Sequence, residues 1–422
     1  MVFGVAERAG SIMTSYRLHR LAVGGAMVVV RTWPLVLASM VLGNSCREST
    51  SGDRGVTERW YQPQPSYSNA RPAVLASTVF FGTGDGRIIA RDVNTGVAKW
   101  DVKVGSTAIE GANLIVSNGA VIAPVQTYTV ALDAVTGIER WRYSAPNDTT
   151  DVPAGAYAGP GSVVQSRIDT DGTTAFIPAW GASVGAVDVG SGAVRWVWQP
   201  GRIEGDTAAS GVFRSGSMGV KVSGDTVFAT MWHYLNRAGV ASEALVVAIN
   251  KQTGAEFWRV RLPYQPGGVL IQTAPVVYQN LVIVHMLAAR TYAIDRSTQT
   301  VRWEFTPPGF MSSTSAGPEL SGDQVYVDGG NGSIYALRAA DGSQIWSYAF
   351  GFSTTSDMLA TTRRLLFTQG NVLYILDRNT GLKVAATGQP HTSDPLFASP
   401  AAASQGLVFV TVAGAAWCFE EP

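Results

Sequence analysis

The chain has few of the residues from which redox and metal centres are built. Its two cysteines, Cys46 and Cys418, lie far apart in the sequence and form no C-x-x-C motif. His233, His285 and His391 follow the first 45 residues, and no two of them have the spacing of metal ligands. Zinc sites and dithiol redox centres need closely spaced ligands, so the sequence gives no support for either. We therefore predict no metal and no cofactor.

The sequence also lacks an excess of charge of one sign. Lys and Arg number 31, and Asp and Glu also number 31. Beyond residue 45 the balance is 27 basic against 30 acidic residues. A general nucleic-acid surface needs a basic excess, so we expect no nucleic-acid partner. The sequence also lacks the series of long apolar runs that is typical of a protein that crosses a membrane several times.

What the sequence has instead is one short motif, written repeatedly along the chain. The copy at Val130–Trp141 reads VALDAVTGIERW. Five further copies also end in Trp: Ala90–Trp100, Ala186–Trp196, Ala248–Trp258, Ala293–Trp303 and Ala336–Trp346. The copy at Ile375–Ala385 has Ala in place of the Trp, and the last copy, Cys418–Glu420, is cut off by the end of the chain. Such a period indicates a repeat architecture.

Each position of the motif has a structural role. The Asp and Thr side chains can accept hydrogen bonds from the turn backbone, and Gly suits a positive φ. A buried Trp removes ~150–250 Å² from water, which suits a spacer between packed sheets. We therefore predict that these residues dock neighbouring sheets: Trp60, Asp92, Gly96, Trp100, Asp133, Gly137, Trp141, Asp188, Gly192, Trp196, Gly254, Trp258, Asp295, Trp303, Gly342, Trp346, Asp377 and Gly381.

A second strand pair precedes each copy of the motif, as in VKVSGDTVFAT at Val220–Thr230. Four strands per unit and eight units predict an all-β fold, an eight-bladed β-propeller. The segment Thr57–Gln62 resembles the outer strand of a repeat and carries Trp60. We predict that it supplies the missing outer strand of the last blade, so that the ring has no open edge.

The first 45 residues do not fit the repeat and are interpreted as an export signal, with a possible translation start at Met27. From there a short basic region and an apolar segment lead to Cys46, the pattern of a lipidated cysteine. Cleavage without lipidation, or an uncleaved anchor, are the alternatives. Residues 46–56 are polar and are predicted to form a flexible tether, and residues 57–422 to form the propeller. Cys418 is expected to be a quiet core thiol, with a Cys46–Cys418 disulfide as the alternative.

The repeat A-x-D-x-x-T-G-x-x-x-W resembles the tryptophan-docking motif of the quinoprotein, or pyrroloquinoline-quinone repeat, propellers. It covers nearly all of residues 57–422. The superfamily includes periplasmic quinone-dependent dehydrogenases and cofactor-free lipoproteins similar to BamB, a subunit of the machinery that inserts outer-membrane β-barrels. The dehydrogenases use two adjacent cysteines at the quinone, and this chain has none. The resemblance therefore implies a BamB-like scaffold and not an enzyme.

Two intervals between motifs are longer than the others. Asp133 to Asp188 is 55 residues and Asp188 to Asn250 is 62, against 39 to 45 elsewhere. The extra residues are predicted to form two connections and one loop on one face: Ser144–Gly161, Gln199–Ser215 and Met231–Ala244. Long loops often carry binding residues, although drift in a tolerant loop is the alternative. The candidate partner-binding residues are Arg202, Arg214, Trp232, His233, Tyr234 and Arg237, of types enriched at interfaces. Trp232 and Tyr234 could instead pack the loop onto its own blade.

Together these patterns predict a non-catalytic, exported, lipid-anchored scaffold that binds protein partners in the bacterial envelope. The resemblance implies that the β-barrel assembly machinery is one such partner, at the outer membrane and facing the periplasm. We expect a monomer within a larger complex, in contact with the membrane only through the anchor. The alternative is a periplasmic quinone-dependent dehydrogenase or another propeller that binds a small molecule.

Overall fold

The computed structural model describes most of the chain beyond residue 54. The described residues are 55–66, 68, 70–106, 109, 113–125, 128–145, 167–179, 183–200, 215–234, 242–263, 271, 273–309, 316–351, 357–369, 372–388, 399–412 and 414–422. The predicted export signal, Cys46 and nearly all of the predicted tether lie outside this set. In the described part, no helix has the length and apolar character needed to cross a membrane.

The regular structure of the described residues consists of β-strands. In chain order they are β1 Glu58–Pro63, β2 Ala73–Leu75, β3 Thr78–Gly82, β4 Arg87–Asp92, β5 Ala98–Lys103, β6 Ile115–Ser117, β7 Ala120–Val125, β8 Tyr128–Asp133, β9 Glu139–Tyr143, β10 Asp169–Thr170, β11 Thr174–Ala179, β12 Ser183–Asp188, β13 Val194–Trp198, β14 Ser215–Ser223, β15 Thr226–Tyr234 and β16 Ser242–Asn250. They continue with β17 Glu256–Arg261, β18 Val276–Tyr278, β19 Leu281–His285, β20 Thr291–Asp295, β21 Thr300–Phe305, β22 Glu319–Ser321, β23 Gln324–Asp328, β24 Ser333–Arg338, β25 Gln344–Ala349, β26 Leu359–Ala360, β27 Arg364–Gln369, β28 Val372–Asp377, β29 Lys383–Gly388, β30 Ser399–Ser404, β31 Leu407–Val412 and β32 Ala415–Glu420.

These strands form eight antiparallel four-stranded sheets, and the predicted eight-bladed propeller is confirmed. Blades 1 to 7 each use four consecutive strands, from β2–β5 to β26–β29, which we name A to D from the first to the last. Blade 8 is composite, with the order β1-β32-β31-β30. Trp60 of β1 pairs with Cys418 of β32, so the predicted closing strand is also confirmed. The first strand of the chain, β1, therefore fills the outer D position of the last blade and closes the ring.

One hydrogen bond recurs in every blade and fixes the geometry of one face. The residue after the end of each C strand donates its backbone N–H to the A–B turn of the same blade. Val93 donates to Ser77 at 3.1 Å in blade 1, and Glu421 donates to Gly406 at 2.8 Å in blade 8. The A–B and C–D turns therefore lie together on what we call the turn face. The B–C turns and D–A connections lie at the other end of the strands, on the loop face.

The tryptophans of the D strands contact the next blade around the ring. Six of them donate their indole N–H to the carbonyl of the first residue of the next C–D turn, at 2.8 to 3.2 Å: Trp60, Trp100, Trp141, Trp196, Trp303 and Trp346. Each ring lies so close to the Gly of that turn that a Cβ there would approach a ring atom to between 2.6 and 2.9 Å. The glycine is thus required for the close approach as well as for its positive φ.

Two junctions depart from this pattern. Ala385 replaces the Trp of blade 7, and it shares a buried cluster with Trp417 from the C strand of blade 8. A large ring from the following blade therefore occupies the core at this junction. At the junction of blades 4 and 5, Gln299 holds the glycine position with φ 58°. There Trp258 is half-buried, and its indole N–H has no carbonyl partner among the described residues.

Blade 4 also differs from the sequence-based expectation. Met231–Ala244 was expected to be a B–C loop, but strands β15 and β16 are nine residues long and pair as far as Tyr234 and Ser242. The alternating pattern of VFATMWHY simply continues the strand. Strand β14 is equally long and pairs with β15 from Ser215 onwards. The prediction of a loop over Met231–Ala244 is therefore wrong for residues 231–234 and 242–244, which lie in strands β15 and β16.

Candidate functional site

The candidate partner-binding residues fall into two groups. Arg202, Arg214 and Arg237 lie outside the described residues. Trp232, His233 and Tyr234 end strand β15, where Trp232 is paired with Gly216 and Ala244. The structure therefore brings three of the six candidates together at the loop-face end of blade 4. We call this part, residues 215–218, 231–234 and 242–244, the blade 4 extension.

The environment of Trp232 differs from that expected for an exposed contact residue. Its side chain is only 8% exposed, and Met231 and Ala244 beside it are fully buried. A strand residue with this burial stabilises its own sheet. The geometry therefore favours packing of Trp232 onto its own blade over contact with a partner at an exposed loop tip.

Six charged side chains form three ion pairs near the axis of the propeller, on or just before the A strands. We call them the axial charge cluster: Arg71, Arg167, Asp169, Lys221, Glu319 and Asp357. Arg167 of blade 3 pairs with Asp357 of blade 7, on the opposite side of the ring. Arg71 of blade 1 lies 3.6 Å from Glu319 of blade 6, and Lys221 of blade 4 lies 3.1 Å from Asp169 of blade 3. The first pair therefore joins opposite blades, the second joins blades three apart, and the third joins neighbours.

The carboxylates of this cluster are further bound by backbone groups. Gly317 donates its N–H to Asp357 at 3.1 Å, and Ala360 donates to Glu319 at 3.1 Å. Burial by itself would raise the pKa of Asp357, but the guanidinium of Arg167, the N–H of Gly317 and the charge of Arg71 together outweigh it and the pKa is lowered. Asp357 is thus an ionised, paired group at neutral pH. The negative charge of Asp357 is therefore neutralised by Arg167 within the fold.

A buried histidine is bound through one ring nitrogen, while its Nε2 has no hydrogen-bond partner among the described residues. His285 ends strand β19 and is fully buried, with its Nδ1 2.9 Å from Thr291 Oγ1. Loss of hydration lowers its pKa well below the ordinary value, against the opposing effect of Asp328. The imidazole is therefore neutral at pH 7. Cys418 is likewise buried and free, and burial raises the pKa of its thiol to about 12.

A surface cavity of about 540 Å³ opens on the turn face between blades 4 and 5. We call it the blade 4 notch, and it lies where Gln299 replaces the docking glycine. The guanidinium of Arg296 lies 4.8 Å from the ring centroid of Phe228, and Phe257 is half exposed at the rim. Its lining is Asp225, Thr226, Phe228, Phe257, Trp258, Asn280, Arg296 and Ser297. An aromatic wall beside a cation suits a small aromatic or acidic group. The cavity was not predicted from the sequence, although the missing glycine was its signal.

A protein-family model described as "Outer membrane protein assembly factor BamB" matches this chain twice, at residues 49–231 and 180–421. The fold of the chain is similar to that of BamB from Moraxella catarrhalis, with a TM-score of 0.64 and 13% sequence identity. That similarity covers 87% of this chain and 100% of the other. The family match thus extends over nearly the whole propeller.

Two curated relatives share only part of their length with this chain. A quinohemoprotein alcohol dehydrogenase of Pseudomonas putida is 32% identical over 99 residues, which is 21% of this chain and 14% of the dehydrogenase. The serine/threonine-protein kinase AfsK of Streptomyces griseus is 27% identical over 174 residues, 40% of this chain and 20% of the kinase. The chain therefore spans at most one-fifth of either relative.

Proposed function

The chain belongs to the family of the outer membrane protein assembly factor BamB, and we propose that it is a non-catalytic scaffold of the bacterial cell envelope. In this proposal the propeller binds a protein partner, with the β-barrel assembly machinery as the family's example. Cys46 carries the lipid that holds the chain at the membrane. The partner binds on the loop face at the blade 4 extension.

The observation that carries this proposal is the length of the three inner strands of blade 4. Strands β14, β15 and β16 have nine residues each, whereas the strands of the other blades have at most six within the described residues. The extra residues are not needed to complete the ring, because the other seven blades close without them. A paired, preordered extension costs little conformational entropy when it binds a partner. It is therefore suited to present residues at its tip to another protein.

A photo-crosslinking amino acid at the tip of the extension tests the partner site. Position Tyr234 ends β15 on the loop face, and Asp225 lies in the A–B turn of the same blade on the turn face. We expect a crosslink to an envelope protein from Tyr234 in cells that express the full chain, and none from Asp225. Trp232 is unsuitable for this purpose, because its substitution would also destabilise the sheet.

Crosslinks from Asp225 alone, or from neither position, would contradict a partner at the extension. A further test of contact strength uses Arg237→Ala, alone and with Tyr234→Ala. Loss of a hot-spot residue typically weakens binding by ~2 kcal/mol or more. Unchanged capture of the partner by the double variant would also reject the site.

The anchor is tested separately. Cys46→Ser removes the only group that could carry acyl chains in a lipoprotein of this kind, so the chain should move from the membrane fraction to the soluble periplasm. Equal retention in the membrane fraction would show that another segment holds it there.

The alternative function is that of a quinone-dependent oxidoreductase, which the partial sequence match to the dehydrogenase supports. The described residues do not fit that group. The axial cations Arg71 and Arg167 are already paired with carboxylates, and the described residues contain no group of three His, Cys, Asp or Glu side chains placed to hold a metal ion. Titration with pyrroloquinoline quinone and calcium decides between the two functions. Stoichiometric binding would overturn the scaffold.

A further inference from the structure

Four apolar side chains stand exposed at C–D turn tips of the turn face. They are Val97, Val135, Ile138 and Leu382, with exposures of 62%, 82%, 68% and 69%. All belong to blades 1, 2 and 7; blades 7 and 1 flank blade 8, and blade 2 follows blade 1 around the ring. We call them the apolar arc.

The remaining blades do not share this feature. The residue that follows the docking glycine position is Val97, Ile138 and Leu382 in blades 1, 2 and 7. In blades 3 to 6 it is small or polar: Ala193, Ala255, Thr300 and Ser343. Other exposed apolar residues of those blades include Val194, the first residue of β13, and Phe257, the second residue of β17, and they are 51% and 48% exposed. The repeat has therefore been altered in one sector of one face.

The N-terminal segment leaves the propeller in the middle of the same sector. Thr57 accepts a hydrogen bond from the N–H of Glu420 at 2.9 Å, and Glu421 is bound to the A–B turn of blade 8. The described chain therefore begins on the turn face, at Gly55 in blade 8. Nine residue steps separate Gly55 from Cys46, and a fully extended chain spans about 30 Å over that length. A lipid on Cys46 would keep this face within about 30 Å of the bilayer.

The charges around the arc are compensated. Asp92 and Asp133 accept hydrogen bonds from their turn backbones and pair with Lys99 at 3.4 Å and Arg140 at 2.7 Å. Asp377 in blade 7 pairs with Arg364 at 3.4 Å. Hydrogen bonds from Arg140 and Thr136 hold the pKa of Asp133 well below its usual range. These carboxylates keep their partners, so no unpaired row of negative charge opposes an anionic lipid surface.

We propose that the apolar arc rests on the lipid bilayer, so that the propeller lies with blades 7, 8, 1 and 2 of its turn face against the membrane. This inference rests on the anchor in the proposed function. Aliphatic side chains on separate convex turns suit a fluid interface, because each tip can enter the headgroup region without a shaped pocket. A folded protein partner would need one pocket for each tip. The arrangement also leaves the loop face, with the blade 4 extension, directed away from the bilayer.

Site-specific labelling of the full lipidated chain in phosphatidylethanolamine–phosphatidylglycerol vesicles tests this orientation. Val135→Cys and Gln252→Cys place a thiol at the same turn position in blades 2 and 4. Cys418 is buried, and Cys46 is blocked when it carries lipid. A membrane-impermeant maleimide should label the blade 2 site at least five-fold more slowly on vesicles than in the soluble Cys46→Ser form. The blade 4 site should react at similar rates in both.

A matched pair of triple variants completes the design. Val97→Ser, Ile138→Ser and Leu382→Ser together should abolish the protection of the blade 2 site. Ala193→Ser, Ala255→Ser and Thr300→Ser, at the equivalent positions of blades 3 to 5, should leave it intact. Equal labelling of both sites on chains that float with the vesicles would overturn the orientation while leaving the anchor standing. Protection that grows with the protein-to-lipid ratio would show that a second copy covers the arc, and would overturn the bilayer as its occupant. A chain that fails to float would overturn the anchor and this inference with it.

Discussion

Trp60 is the residue whose removal should most clearly weaken the closure of the ring. It is 6% exposed, its indole N–H donates to the carbonyl of Val93 at 2.8 Å, and its ring packs on Phe81 and Phe409 with centroids 6.3 and 6.0 Å away. Large-to-small substitution of a buried Trp costs ~3–5 kcal/mol. The lost hydrogen bond adds ~1 kcal/mol. We therefore expect Trp60→Ala to lower the free energy of unfolding by ~4–6 kcal/mol.

Trp258→Ala is the matched control. Trp258 packs on Phe228 of its own blade, with centroids 5.9 Å apart, but it is half-buried beside the notch and lacks the indole bond to the next blade. Its loss should cost ~2–3 kcal/mol, about half of the value for a fully buried ring. The two variants therefore separate docking between blades from burial of an aromatic ring within one.

The measurement is guanidinium-induced unfolding of the wild type and both variants, followed by tryptophan fluorescence and by circular dichroism. Coincident transitions would justify a two-state free energy. A Trp60→Ala variant with an unchanged midpoint would refute the closing role of β1. A Trp258→Ala variant that is destabilised as much as Trp60→Ala would refute the argument that the contact with the next blade carries the difference.

Three further outcomes follow from the same geometry. Gln299→Gly should raise the free energy of unfolding by up to ~1 kcal/mol, since φ 58° costs an L-residue energy that glycine avoids; a lower melting temperature would contradict this. Arg167→Met should lower the free energy of unfolding by ~3 kcal/mol because it leaves Asp357 without its cation. Adding Asp357→Leu should restore most of this loss. A double variant whose loss equals the sum of the two single losses would contradict the pairing. Burial depresses the pKa of His285, so the unfolded chain binds a proton near pH 6.5 while the folded chain does not. Stability should therefore fall as the pH drops below ~6.5, with a flatter slope in His285→Gln, and equal slopes in denaturation midpoints between pH 7.5 and 5 would exclude His285 as the cause.

Much of the fold was predictable because its information is local. The turn chemistry around Asp133 and Gly137 depends on neighbours within a few residues, and the alternation of apolar residues marks each strand. The copy number of the motif then predicts the number of blades. The missing strand of blade 8 could be found in the same way, because Thr57–Gln62 has the pattern of an outer strand. The family was predicted from the same repeat.

The loop-face site was predicted less well. The long interval between Asp188 and Asn250 correctly marked blade 4 as unusual, but interval length does not distinguish a loop from longer strands. The alternation through Met231 and Trp232 was the available signal for strand. Arg202, Arg214 and Arg237 lie outside the described residues, and their role in partner binding stays a prediction.

The repeat, the blade count and the closing strand could all be inferred from the sequence, because each follows from contacts between residues close in the chain or from copies of one pattern. Tertiary structure alone decided which distant residues meet. Arg167 and Asp357 pair across the axis only because blades 3 and 7 are opposite in a ring of eight. Val97, Ile138 and Leu382 form one arc only because closure places blades 7 and 1 on either side of the chain's first strand. Such contacts depend on the radial geometry of the ring, which no local pattern encodes.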